Sequence, residues 1–228
     1  MLREMNINDI TEDKLFGAND MVKLGVDDCN GCHACCLDTG DTLNLDPYDV
    51  FRLEKGLNLG FSDILPNHLE LRVADGLIMP FLKMDKELTI TCQGIEVKET
   101  SACTFLNSEG RCDIHEHRPA ICRLFPLGRI YVGEGHKYLL MEDECKKDRR
   151  VKVKIKKWLN TENFSKYEEY VDHWHALVKS VTSRAKEMDE QTLKNINMLI
   201  LQTFYFTDYD VSRDFYEQYY ERCKAVKI

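Results

Sequence analysis

Residues 29–36 read CNGCHACC, four cysteines and a histidine in eight positions. Sulfur at this density is there for chemistry rather than packing, and the rest of the chain has to supply whatever completes that chemistry. Four kinds of centre use such a run: a disulfide framework, a covalently attached haem, a zinc site or an iron–sulfur cluster.

Compartment separates the first two from the last two. The amino-terminal stretch MLREMNINDITEDKLF is polar and acidic, with no basic segment leading into an apolar run, so no secretory signal is read there. No stretch approaches the eighteen consecutive apolar residues of a membrane span. A cytoplasmic location is the expectation, and thiols there stay reduced, so closely spaced cysteines read as metal ligands. Cys29-Asn-Gly-Cys32-His33 matches the haem-attachment motif. Covalent haem attachment belongs outside the cytoplasm, however, and the motif runs straight into two further thiols. Hydrophobic residues make up 43% of the 228, enough to bury a core without cross-links. The net charge of −8 argues against broad nucleic-acid binding.

Nine of the ten cysteines precede residue 150. Cys29, Cys32 and Cys35 have the C-x2-C-x2-C spacing that wraps three corners of a 4Fe–4S cluster. A C-x-x-C pair is equally half of a zinc site. Both require remote partners, and Cys103, Cys112 and Cys122 in CTFLNSEGRCDIHEHRPAICRLFPLGR, followed by Cys145, provide them. With Cys36, these eight thiols satisfy two tetrahedral sites, one cluster with spare thiolates, or two clusters; spacing does not choose. His115 and His117 are further candidate ligands. Cys92 and Cys223 stand alone and are expected to be buried free thiols. Arg118 and Arg123 flank the last cysteine motif and are read as donors that offset the concentrated negative charge of a bound centre.

CNGCHACC, followed by CTFL and then GRCDIHEHRPAICRLFP, resembles the zinc- or iron-chelating CxxCxxCC domain family, the YkgJ-like cysteine-cluster proteins, over roughly residues 26–148. The resemblance implies metal chelation by Cys29, Cys32, Cys35, Cys36, Cys103, Cys112 and Cys122, with Cys145 as an eighth ligand, and leaves the metal open. A similar cysteine pattern occurs in flagellin lysine methylases. This chain is shorter than those and has no glycine-rich nucleotide loop, so side-chain modification is an alternative reading.

Organisation along the chain points to an α+β fold. DPYDVFRLEKGLN reads as a helix capped by Asp46, with Pro47 in its first position and Gly56 or Gly60 as its end. A second short helix is read over Ser62–Leu71. LIMPFLKM and LTITCQG read as strands, and GRIYVGEGHKYLLM as a hairpin. The basic run KKDRRVKVKIKK is read as a solvated face leading into a helix at Trp158. From Tyr167 to Met188, apolar residues step by threes and fours, which predicts a long amphipathic helix. Helices capped by Asp189 and starting near Asp210 follow it. The expected organisation is a cysteine-cluster domain over 1–148 and a helical extension over 149–228. No Gly-x-Gly-x-x-Gly, Walker, His-Glu-x-x-His or Gly-x-Ser-x-Gly motif occurs, so no catalytic residue is assigned.

The leading expectation is a cytoplasmic protein holding an iron–sulfur cluster (4Fe–4S) or zinc through eight cysteines, with iron–sulfur favoured by the ferredoxin-like spacing and a redox role attached to it. The alternative is a structural-zinc module that recognises a protein partner.

Overall fold

A computed structural model describes residues 14–24, 33–37, 43–92, 95–133, 135–141, 145 and 150–226. The fold is α+β, as expected, with small separate antiparallel sheets and a set of helices concentrated toward the carboxy terminus. The chain divides into two compact units whose segments interleave in sequence. One comprises residues up to Leu43, Met84–His115 and Ala120–Phe164; the other comprises Asn44–Lys83, Glu116–Pro119 and Ser165 onward.

The first unit is built from hairpins. Strands β1 (Leu15–Phe16), β8 (Gly135–Leu140) and β7 (Leu127–Val132) form a three-stranded sheet in the order β1-β8-β7. The β7–β8 hairpin turns where the sequence placed it, with Val132 opposite Gly135. Strand β2 (Met21–Leu24) pairs with β9 (Val151–Lys154), setting Val22 against Val153 and Lys23 against Lys152. Part of the basic run is therefore a mostly exposed strand in which Val153 alone is partly buried. The run continues into the short helix α4 (Ile155–Leu159), and the Trp158 indole donates to the Phe125 carbonyl at 3.2 Å. Val22, Leu24, Leu124, Leu127, Tyr138, Ile155 and Leu159 form one core cluster. Strands β5 (Lys86–Cys92) and β6 (Ile95–Ala102) make a separate hairpin. Among the described residues, Ile90, Ala102 and Leu106 are buried together there.

The second unit is organised around aromatic rings. Helix α1 (Pro47–Leu57) starts as predicted: Asp46 Oδ1 accepts from Asp49 N–H at 2.9 Å, Asp49 Oδ2 accepts from Asp46 N–H at 3.2 Å, and Pro47 takes the first position. Its end differs from expectation. Neither glycine stops it; Asn58 does, in the left-handed conformation at φ 53°. Gly56 lies inside the helix, where glycine costs about 1 kcal/mol relative to alanine. The reason is contact: a Cβ at Gly56 would fall 2.3 Å from Cγ of His117. Gly60 instead precedes helix α2 (Phe61–His68). Residues 69–71, expected to be helical, begin strand β3 (Leu69–Ala74), which pairs with β4 (Leu77–Leu82) across Asp75-Gly76. Both turn residues have positive φ, 52° and 86°, the hairpin geometry that Asp-Gly favours.

Helix α5 (Phe164–Ala185) buries Tyr167, Tyr170, Val171, Trp174, Leu177 and Val181, the predicted stripe. Helix α6 (Glu190–Leu201) is capped by Asp189 as predicted, and passes into a π-turn at Gln202–Phe206. Helix α7 (Phe215–Val226) begins later than expected. Asp210 accepts from Ser212 N–H at 2.9 Å in a turn of its own, and Asp214 accepts from Glu217 N–H at 3.1 Å at the start of the helix. Tyr48, Phe51, Tyr170, Phe204, Phe215 and Tyr219 meet in edge, tilted and stacked contacts, with centroids as close as 4.8 Å for Tyr170–Tyr219. The buried hydroxyls are matched. Tyr205 donates to the Leu45 carbonyl at 3.1 Å, and Tyr170 accepts from Tyr48 N–H at 3.1 Å.

Glu54 is buried in this unit, 3% exposed. Its two oxygens accept from Phe61 N–H and Tyr209 N–H, both at 3.2 Å. Burial, aided by Asp208 and opposed by those N–H groups and Arg222, raises its carboxyl to about 7. A raised acid favours the protonated form in the fold. Its contribution to stability is therefore full below the ordinary glutamate value and is lost as pH rises through about 7. Urea unfolding at about pH 5 and about pH 8 should show wild type losing about 2–3 kcal/mol more than Glu54→Gln across that interval. An identical pH dependence in the two proteins would contradict this.

Candidate metal centre

The described cysteines of the first unit are brought together by two backbone features. Ala34–Cys36 form a single 3₁₀ turn in which Cys36 N–H donates to the His33 carbonyl at 2.8 Å. Directly after it, Leu37 bridges to Ala102 at the end of β6, and Cys103 N–H donates to the Cys36 carbonyl at 2.9 Å. The adjacent pair Cys35-Cys36 is thus held against Cys103 by main-chain hydrogen bonds, independently of any ligand.

The second feature is the knuckle from Cys103 to Cys112. Leu106 N–H donates to the Cys103 carbonyl at 2.9 Å, and Leu106 bridges to Cys112. Between them the Asn107 carboxamide oxygen accepts from Glu109 N–H at 3.1 Å and from Arg111 N–H at 2.9 Å, and its nitrogen donates to Asp113 at 2.7 Å. Gly110 closes the turn at φ 69° and lies against His33: a Cβ there would be 2.8 Å from His33 Nδ1. Both the backbone angle and the contact require glycine. Among the described residues, His33 Nδ1 is buried without a hydrogen-bond partner. His33 therefore seats the first cysteine run on the second.

Cys122 lies on the one-turn helix α3 (Ala120–Leu124). The Cys36 thiol is held far above its ordinary value, first by a hydrogen bond with Cys35, then by burial, then by the charges that Cys35, Cys122 and Cys103 would carry. Burial raises the Cys103 thiol to about 11, with Cys112 and Cys35 adding to it and Lys86 opposing. Cys35, Cys36, Cys103, Cys112 and Cys122 are therefore one electrostatic group. Among the described residues, no set of three or more His, Cys, Asp or Glu has the spacing to hold a metal ion, and Cys29 and Cys32 lie outside those residues. Cys145, whose carbonyl accepts from Arg150 at 3.2 Å, is not among the main groups acting on Cys36 or Cys103. Cys223 is a buried free thiol on α7, 6% exposed. Cys92 lies on β5 opposite Ile95.

The donor chemistry fits a thiophilic metal. Clustered thiols, Cys103 buried and the others partly so, whose neighbours oppose ionisation at Cys36 and Cys103 keep those protons until a cation enters, and a metal ion supplies the charge that reverses this preference. A cation that acts on Cys103 is Lys86, whose ammonium donates to the carbonyls of Thr104 (3.2 Å) and Leu106 within the knuckle. Lys86 was not a sequence candidate, and no local motif marks it. The candidates Arg118 and Arg123 are placed differently. Arg118 belongs to the Glu116–Pro119 stretch of the second unit. Arg123, 4% exposed, donates to the Leu159 carbonyl at 3.2 Å and to the Thr161 hydroxyl. It thereby caps the carboxy-terminal end of α4, where a cation is favoured. His115 N–H donates to the Cys112 carbonyl at 3.2 Å. His117 packs on Gly56, and burial followed by the Arg52 charge lowers its pKa.

A family model described as CxxCxxCC, putative zinc- or iron-chelating domain, matches residues 28–146, more than half of the chain. No curated protein and no solved structure matches it. Among the described residues no helix is long and apolar enough to cross a membrane.

Proposed function

Because the chain belongs to the CxxCxxCC family of metal-chelating domains, we propose that it holds an iron–sulfur centre on its cysteine knuckles and works in the cytoplasm as a redox protein. The observation that carries this reading is the main-chain geometry that holds Cys35-Cys36 against Cys103, whose N–H donates to the Cys36 carbonyl at 2.9 Å, and brings Cys112 back to the same knuckle through its bridge with Leu106. Four thiolates satisfy either one tetrahedral zinc ion or one 4Fe–4S cluster, so iron–sulfur is preferred here on the C-x2-C-x2-C spacing alone. Cys29 and Cys32, at ferredoxin-like spacing with Cys35, together with Cys122 and Cys145, complete a set of eight. When bound, the centre supplies one-electron chemistry. The chain's own residues converge the thiolates, keep water from Cys103 and offset part of the negative charge through Lys86. A second reading, structural zinc in a module that binds a protein partner, is favoured by the burial of Cys103, 7% exposed, since closed thiolate sites hold zinc for folding rather than reaction.

Single Cys→Ser substitutions test the ligand set. Serine at Cys36, Cys103 or Cys122 should lower bound metal severalfold, as should serine at Cys29 or Cys32, when measured by elemental analysis of protein purified without oxygen. Cys223→Ser should leave metal content unchanged. Full metal content in the Cys36 and Cys103 variants would overturn the assignment.

A further inference from the structure

Strand β3 pairs with β4 on one side, and among the described residues no strand or bridge lies on its other side. The two-residue turn Asp75-Gly76 makes Ala74 and Leu77 a hydrogen-bonded pair, and pairs alternate along an antiparallel ladder. Arg72 and Glu70 therefore also direct their backbone groups at β4, while Leu71 and Val73 direct theirs outward. The far side of β4 agrees with this phase. Pro80, which has no N–H, stands opposite Leu71, and its carbonyl accepts from Leu45 N–H at 2.9 Å. Ile78, opposite Val73, donates to Asn197 Oδ1 at 2.6 Å. That edge of β4 is occupied. The outward backbone groups of Leu71 and Val73 have no such partner among the described residues. Their side chains are 37% and 71% exposed. On the opposite face Arg72 and Glu70 form an ion pair at 2.6 Å, each about one third exposed (34% and 32%).

An unpaired edge with exposed apolar side chains is a template for another strand. The sequence of this edge, LELRVA, is complementary to itself in one register. Two copies running antiparallel can join their outward groups about a two-fold axis at Leu71 or at Arg72. The second choice sets Arg72 against Arg72 of the second copy, a like-charge pair that is destabilising. The first sets Leu71 against Leu71, and Glu70 of each copy against Arg72 of the other. Glu70 and Arg72 then occupy the closer, non-hydrogen-bonded positions, where opposite charges stabilise. Leu69 N–H is already taken by the Leu65 carbonyl, but the Leu69 carbonyl remains to accept from Val73 N–H of the other copy.

We propose that β3 is the interface of a symmetric homodimer, in which two β3–β4 hairpins join edge to edge in the Leu71-centred register to form a four-stranded sheet. Main-chain hydrogen bonds supply the attraction, and the crossed Glu70–Arg72 pairs select the register. Sedimentation equilibrium of the metal-replete full chain tests this. Wild type should be dimeric at high micromolar concentration. Val73→Pro removes an outward N–H and no β3–β4 hydrogen bond, and should weaken dimerisation about tenfold or more. Arg72→Glu sets like charges opposite each other and should do the same. The double variant Glu70→Arg/Arg72→Glu restores the crossed pairs and should return to wild-type dimerisation. Circular dichroism confirms that each variant is folded; if Val73→Pro fails to fold, the charge-reversal pair decides. A monomeric wild type, a dimer unaffected by both single changes, or a double variant no better than its parts would overturn the proposal.

Discussion

Stripping metal from the replete protein should collapse protection in the β5–β6 hairpin and the Cys103–Cys112 knuckle while leaving α5, α6 and α7 protected. The basis is the difference in what holds each part. Around the hairpin, the buried cluster among the described residues is Ile90, Ala102 and Leu106, with Cys36, Leu37 and Leu88 packed on it. The loop beyond the hairpin is kept by turns: Asn107 accepting from two N–H groups, and Gly110 at positive φ. Without metal, the half-buried Cys36 thiol and the buried Cys103 thiol stay protonated beside one another. Binding free energy at a thiolate site is folding free energy, on the order of 10 kcal/mol where the unfolded chain has no preformed site. Hydrogen exchange before and after chelation reads this directly. Loss of protection should appear as faster exchange at residues 101–112, by several orders of magnitude in the slowest amides. Uniform protection with and without metal would mean that the knuckle folds on its own.

Tyr219→Ala should be among the most destabilising single changes in the chain, costing about 3–5 kcal/mol. Tyr219 is fully buried. Its ring meets Tyr170 at 4.8 Å, Tyr220 at 5.1 Å, Phe204 at 5.7 Å and Phe215 at 6.0 Å. Its hydroxyl lies 2.8 Å from His173 Nδ1. Alanine leaves a cavity among rigid rings that cannot close over it. Tyr219→Phe keeps the ring and loses only the hydroxyl contact, so it should cost about 1 kcal/mol. Urea denaturation of both variants in metal-replete form separates the two effects. Metal content should be unchanged in each, because Tyr219 belongs to the unit without the cysteine knuckles. Equal costs for Ala and Phe would contradict the packing account.

Where local chemistry decides structure, the sequence was legible. Asp46-Pro47 started α1 and Asp189 started α6, because a carboxylate that accepts from the first-turn N–H groups is decided within a few residues. The Tyr167-to-Val181 stripe was equally plain. Ends were harder to read. Gly56 looked like a stop, but tertiary contact with His117 uses its missing side chain, and Asn58 took the left-handed position instead. The last helix was expected to start near Asp210, but the Asp210 carboxylate accepts from Ser212 in a turn of its own. Asp75-Gly76 carried a hairpin signal that the helical reading of residues 69–71 obscured. The grouping of residues 44–83 with the carboxy-terminal helices rests on long-range aromatic contacts, such as Tyr48 with Phe215 at 4.9 Å, that no local pattern announces.

For the centre, spacing picked out the cysteines but not what surrounds them. The pairing of Cys36 with Cys103 arises from a bridge at the end of β6, which depends on sheet register. Lys86 precedes the cysteine it faces by a whole hairpin, so its proximity follows from β5–β6 pairing, in which Lys86 stands opposite Ala102. Arg123 carried the right charge for a thiolate partner, and the fold gives it a helix end to cap.

The most direct test of the central claim is metal and acid-labile sulfide analysis of protein purified without oxygen, with its visible spectrum. An iron–sulfur centre on these knuckles predicts iron and sulfide in matching amounts and a broad absorption near ~400 nm. Zinc without sulfide, in a colourless protein, would contradict the redox assignment and leave a structural thiolate site in its place.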